Sequence, residues 1–175
     1  SITQKGNLPL LRPPQQEAPA KTVQIDAATR RNLELTASLS GGRSGSLLEV
    51  VDRTVTAAGA RLLERRISSP SRVLETVLDR LDSLACCVSD PDFTQSIRQK
   101  LRAVPDMERA LSRLSLDRGG PRDLTAIRAG LTQAQVMANV EHEAFPKLLT
   151  QAFSDLLGHD ALIDRLENDL VAEPP

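Results

Sequence analysis

Val73, Val77, Leu81, Leu84 and Val88 recur at helical spacing, with Leu74, Leu78 and Ala85 beside them. A stripe of that period restricts the segment to an amphipathic helix, because a strand would need alternation in twos. The rhythm continues in Ile97, Leu101 and Val104, and in Leu124, Ile127, Leu131 and Ala134. It returns through Phe145, Leu149, Phe153 and Leu156, and finally through Leu162, Leu166 and Leu170. Proline punctuates it: Pro70 closes one helix, Asp90-Pro91 opens the next, Pro105 breaks that one, and Pro121 takes the first position of another. Pro105 also opens a short helix through Leu111 and Leu114. Three Phe are the only aromatics, so the core is expected to be Leu, Ile, Val and Ala packed helix on helix. The predicted fold is all-α, a multi-helix bundle. Leu81, central in the cleanest stripe, is expected to be buried, and its truncation to Ala to cost about 2–5 kcal/mol.

Residues 1–24 contain Pro9, Pro13, Pro14 and Pro19 in a polar setting and are expected to be a linker; the helical domain is expected over 25–175. It opens with Asp26 as N-cap of a short helix, Arg30-Arg31 on an exposed turn, and Asn32 before an apolar pair, Leu33 and Leu35, expected to anchor in the core. Thr56 can cap a helix reaching Ile67.

The order of the blocks resembles one family. The run Ile25–Leu35 (IDAATRRNLEL) is followed by a glycine-rich loop at 39–43. Asp52-Arg53-Thr54-Val55-Thr56 then supplies a D-x-T-x-T turn, and Gly59-Ala60-Arg61-Leu62-Leu63 a G-x-R-L-L helix. Val104-Pro105-Asp106-Met107-Glu108-Arg109 and Leu111-Ser112-Arg113-Leu114 form V-x-D-L-E-R-x-L-x-R-L with Met for one Leu, and Pro121-Arg122-Asp123-Leu124 forms P-R-D-L. Together these blocks resemble the first part of the core, or lever, domain of the MutS family of DNA mismatch repair proteins. Ala58 stands where that family often has Met, which is a packing position. The lead-in, Thr3-Gln4 to Pro13-Pro14, is similar to the linker from the family's connector domain. The resemblance implies a helical spacer in a dimeric, DNA-dependent ATPase. The intact protein would use ATP and Mg, and its partners would be mismatched duplex DNA and a second MutS subunit. Mismatch reading, clamp and ATPase chemistry would lie in other domains.

The residues themselves agree with a non-catalytic segment. A phosphate-cradling loop needs G-x-x-x-x-G-K-[ST] after a strand. The nearest run, Gly41-Gly42-Arg43-Ser44-Gly45-Ser46, has no Lys before the hydroxyl and no strand pattern ahead of it. Hence no catalytic, cofactor-binding or metal-binding residue is assigned. Cys86 and Cys87 are adjacent, too close for an ordinary disulfide, and are expected as free, partly buried thiols. His142 and His159 are too far apart for a helical metal pair and are expected on the surface. No apolar run approaches a membrane span, so a cytoplasmic location is expected.

Charge is uneven. Residues 1–140 hold 20 Lys+Arg against 15 Asp+Glu, and residues 141–175 hold 2 against 8. Arg61, Arg65, Arg66, Arg98, Lys100, Arg102, Arg109 and Arg113 could face phosphates. With no stacking aromatics among them, the favoured reading is a solvated face paired against the acidic C-terminal helices, with weak or no DNA binding by this segment alone. A stand-alone all-α adaptor that docks a protein partner is the rival reading.

Overall fold

The computed structural model describes residues 21–140 and 144–170. The linker expected over 1–24 lies outside this range up to residue 20, as do His142 and the end of the chain from 171. The described residues form nine helices: α1 (Ala27–Asn32), α2 (Leu47–Val51), α3 (Ala57–Ser68), α4 (Leu74–Ser89), α5 (Pro91–Arg102), α6 (Met107–Ser115), α7 (Pro121–Ala138), α8 (Lys147–Ser154) and α9 (Asp160–Asp169). Among these residues the extended pairing is one isolated antiparallel bridge, Thr22 with Ser71. The fold is all-α.

Short polar side chains set the starts. Asp26 Oδ1 accepts from Thr29 N (2.9 Å), Ser46 Oγ from Glu49 N (3.2 Å), and Thr56 Oγ1 from Gly59 N (3.0 Å). Asp90 Oδ1 accepts from Phe93 N (2.9 Å) and Asp106 Oδ1 from Arg109 N (3.3 Å). Each satisfies an amide left without a partner in the first helical turn. Pro91 and Pro121 occupy the start of their helices, where a missing N–H costs nothing.

α7 is the central helix. It packs on α6 and α9 and touches α5 and α8, while α4 lies against α5 and α8. The buried apolar residues are Leu48, Phe93, Ala110, Leu131, Met137, Ile163 and Leu166. All three phenylalanines meet: Phe93 of α5 lies 5.4 Å from Phe145 and 6.4 Å from Phe153, and Phe145 stacks on Phe153 at 4.7 Å. The core therefore has an aromatic centre, which the low aromatic content concealed. Phe145 precedes α8 rather than lying within it.

Helix positions were legible, but several expected facings are reversed. Leu81 is 53% exposed, and Leu74, Leu78, Leu84 and Val88 share its side. α4 instead turns Ser83 inward, with its hydroxyl donating to Asp79 O at 2.8 Å, and half-buries Cys86 and Cys87. Thr94 Oγ1 of α5 donates to Cys87 O (2.5 Å), and Lys147 of α8 reaches Glu75 (2.8 Å) and Asp79 (3.5 Å). Those polar ties orient the helix with its apolar stripe outward. Leu33 and Leu111 are exposed, and α9 buries Ile163 with Leu166 while Leu162 faces out. With more than half of its surface already in water, Leu81→Ala should change the stability of this chain by no more than about 0.5 kcal/mol in a urea titration. A loss of about 2 kcal/mol would restore the expected burial.

Candidate functional site

The sequence blocks are joined to one another by a chain of arginine contacts. In the first turn, Asp52 Oδ1 accepts from both Thr54 N (2.8 Å) and Thr54 Oγ1 (2.7 Å), and its Oδ2 pairs with Arg43. The Thr54 hydroxyl and amide, followed by Arg43, hold the Asp52 carboxyl down at about 2. Thr56 then caps α3, and its Oγ1 would lie 2.8 Å from a Cβ at Gly59, so a side chain there would press on the capping hydroxyl.

Arg61, two residues on, projects across to α6. Its Nη2 and Nη1 bind the two oxygens of Asp106 at 2.6 and 3.0 Å, and Nε reaches Glu108 Oε2 at 2.8 Å. This is the bidentate geometry that suits a planar guanidinium. Asp106, then Glu108, raise the Arg61 guanidinium above its usual value, and Arg61 in turn lowers Asp106. Asp106 thus caps α6 and receives α3 with one carboxylate. Arg98 of α5 supplies a second tie, donating to Arg53 O at 2.9 Å.

The chain of contacts continues into α7. Arg113 Nε meets Asp123 Oδ2 at 3.2 Å, and its Nη2 donates to Arg118 O at 3.2 Å. Asp123 Oδ2 also accepts from Gly120 N (2.9 Å), closing the start of α7. At the α6–α7 contact, a Cβ on Gly130 would fall 2.1 Å from Met107 Sδ, so the two helices approach where one has no side chain.

Of the expected basic face, Arg61, Arg98 and Arg113 are therefore spent inside the fold. The acids that hold Arg61 belong to α6, not to the C-terminal helices as expected; in α9, Arg165 and Asp169 pair with each other. Arg65 and Arg66 form no ion pair among the described residues. His159 is half-buried at the N-cap of α9. In the glycine-rich loop, Gly41, Gly42 and Gly45 take positive φ, and the amides of Leu39, Gly41 and Gly45 donate to Glu34, Ser38 and Glu49. The loop closes on its own chain.

Acid should loosen this network. A carboxylate with a lowered folded pKa contributes stability above its unfolded value, and that contribution is lost as pH falls through the folded one. For Asp52 the window runs from the ordinary 3.8 down to about 2. Thermal melts should fall across that window, and Asp52→Asn should flatten part of the slope. Identical slopes in the two proteins would remove Asp52 from the network.

The sequence has a match among known protein families. The sequence model of the family described as MutS domain III covers residues 28–175. The chain belongs to that family. Its similarity to the DNA mismatch repair protein MutS of Roseobacter denitrificans is 62% identity over 176 residues, 99% of this chain and 20% of that protein. MutS of Cereibacter sphaeroides and of Paracoccus denitrificans are each 59% identical over 174 residues, with the same shares covered. The chain thus spans about a fifth of the length of these MutS relatives. The all-α fold is consistent with domain III membership. In this MutS domain III chain, the D-x-T-x-T, G-x-R-L-L and P-R-D-L blocks are the places where one helix is tied to the next.

Proposed function

We propose that the chain is a core segment of a MutS-like mismatch repair ATPase, and that it couples mismatched-DNA binding to a distant ATPase without itself being catalytic. The observation that carries this is the Arg61 fork. α3 has no fully buried residue, yet it is held to the end of α6 by three charged hydrogen bonds across some 45 residues of sequence. Through Asp106, Arg113 and Asp123 the same line of contacts reaches α7, the central helix of the body. Packed helices joined by directional ion pairs move as bodies between discrete arrangements, which is what coupling requires. In this reading ATP and Mg bind elsewhere in the intact protein, a second MutS subunit completes a dimer, and the protein works in the cytoplasm. DNA meets this segment weakly and without regard to mismatches.

The test uses the full-length protein. Arg61→Ala should leave basal ATP hydrolysis and mismatch affinity within about threefold of the parent, while mismatch-dependent stimulation of ATP turnover falls by about tenfold, a coupling loss of about 1.4 kcal/mol. Arg61→Lys, which keeps the charge and loses the fork, should fall between them. Stimulation unchanged in Arg61→Ala would refute the coupling role.

A further inference from the structure

A cavity of about 400 Å³ lies where α5, α7 and α8 meet. Phe93, Ile97, Leu101, Met137, Leu149 and Phe153 form most of its wall, and Arg98 is its one cationic side chain. Native cores leave few voids larger than a water, so a hollow of this size is not ordinary packing. Small-molecule sites have this character: about 300–1,000 Å³, mostly apolar, with a few polar groups that orient the guest. The helices around it are tied to one another. Thr94 Oγ1 donates to Cys87 O at 2.5 Å, Gln133 Nε2 of α7 donates to Lys100 O of α5 at 3.1 Å, and Phe93 of α5 meets Phe153 of α8. The walls are therefore set before a guest arrives, which lowers the ordering cost of binding.

Polarity narrows the choice of guest. The Thr94 hydroxyl is committed to Cys87 O, so a sugar or a nucleotide would lose its water along this wall and gain few hydrogen bonds. Arg98 is half-buried and spends Nη2 on Arg53 O at 2.9 Å. It forms no ion pair among the described residues. Neither does Arg102, one turn on, with which it lines an adjoining hollow. A guanidinium short of an anion, beside an apolar chamber, is complementary to a molecule with one carboxylate and a hydrocarbon body. A neutral hydrocarbon would leave the guanidinium unpaired, and a bare anion would leave the chamber empty.

We propose that this cavity is a binding site for a small monocarboxylate with an alkyl or aryl body, the body lying among Ile97, Leu101, Met137 and Phe153 and the carboxylate on Arg98. The site is independent of the coupling role, and its test does not read ATP turnover.

The probe is octanoate, titrated into full-length protein labelled at its methionine methyl carbons and followed by NMR. Met137→Leu and Met107→Leu assign the two signals of this segment. Met137 lines the cavity, whereas Met107 sits at the α6–α7 contact. The Met137 methyl should shift and saturate with a Kd of about 1 mM or lower, while Met107 stays still. Arg98→Gln should raise that Kd about tenfold, and octan-1-ol should bind the parent about tenfold more weakly than octanoate. The octanol comparison needs no substitution, so it stands even where Arg98→Gln disturbs the fold. Met137 unmoved in the parent at about 10 mM octanoate would overturn the proposal. So would equal shifts at both methionines, which mean binding spread over the surface. Octanol within about twofold of octanoate would show that no carboxylate contact exists, and the site would fall with it.

Discussion

Phe93→Ala is expected to lower the unfolding free energy of the chain by about 3–5 kcal/mol, the usual range for emptying a buried aromatic position. Phe93 is among the seven buried apolar residues and stands at the start of α5, where the Asp90 cap fixes its backbone. Its ring meets Phe145 and Phe153, so one side chain joins α5 to α8 and to the segment before α8. Removing it leaves a void bounded by two stacked rings that cannot both move into it without parting from each other. Aromatic pairing adds about 0.5–1.5 kcal/mol beyond the area lost. Domains of ordinary stability hold about 5–15 kcal/mol, so the variant should show a much lower urea midpoint by far-UV circular dichroism. A loss under about 1 kcal/mol would mean that the three rings are not the core. Phe93→Leu, which refills most of the volume, should recover more than half of the deficit.

Gly130→Leu should cost about 1–3 kcal/mol or more by the opposite route, overfilling a close contact. Leucine is the better helix former by close to 1 kcal/mol, so propensity alone predicts a gain. Packing reverses that sign. Even a single Cβ would sit 2.1 Å from Met107 Sδ and 2.5 Å from Met107 Cγ. The far end of Met107 can swing away, but Cγ is fixed close to the α6 backbone, and the two helices would have to separate. Separation would also stretch the Arg113–Asp123 pair, which spans the same two helices. The check is a double-mutant cycle. Gly130→Ala should destabilise the parent but be tolerated, or even favourable, once Met107→Ala has cleared the space. If the two changes are simply additive, the α6–α7 contact is not what constrains position 130.

Sequence reading recovered what is local and missed what is distant. Asp26, Thr56 and Asp90 could be placed as caps because the bond they make is three residues away. The helix-opening Pro91 and Pro121 were equally plain. The direction in which α4 faces was not, since a stripe of Leu and Val shows that a helix is amphipathic and says nothing of where its partner lies. Here the stripe points away from the body, and Ser83 and the two cysteines point into it. The Arg61 fork joins residues 45 and 47 positions apart. Its only trace in the sequence is that the arginine and the two acids each fall inside a motif block, which located the partners without pairing them. Phe93 and Phe145 are separated by the rest of α5 and all of α6 and α7, and share no pattern at all.

The phenylalanine cluster has one more consequence, for how the molecule can be watched. The chain has no Trp or Tyr, and its three Phe rings lie together. Its near-ultraviolet dichroism therefore arises from a single place, where α5 meets α8, with nothing elsewhere to blur it. The weak Phe bands should vanish if that junction melts while the helices persist, separating local loosening from global unfolding without a label. A tryptophan introduced anywhere in α3 or α6 would then be the only indole in the chain. It would report one end of the Arg61 tie against a dark background.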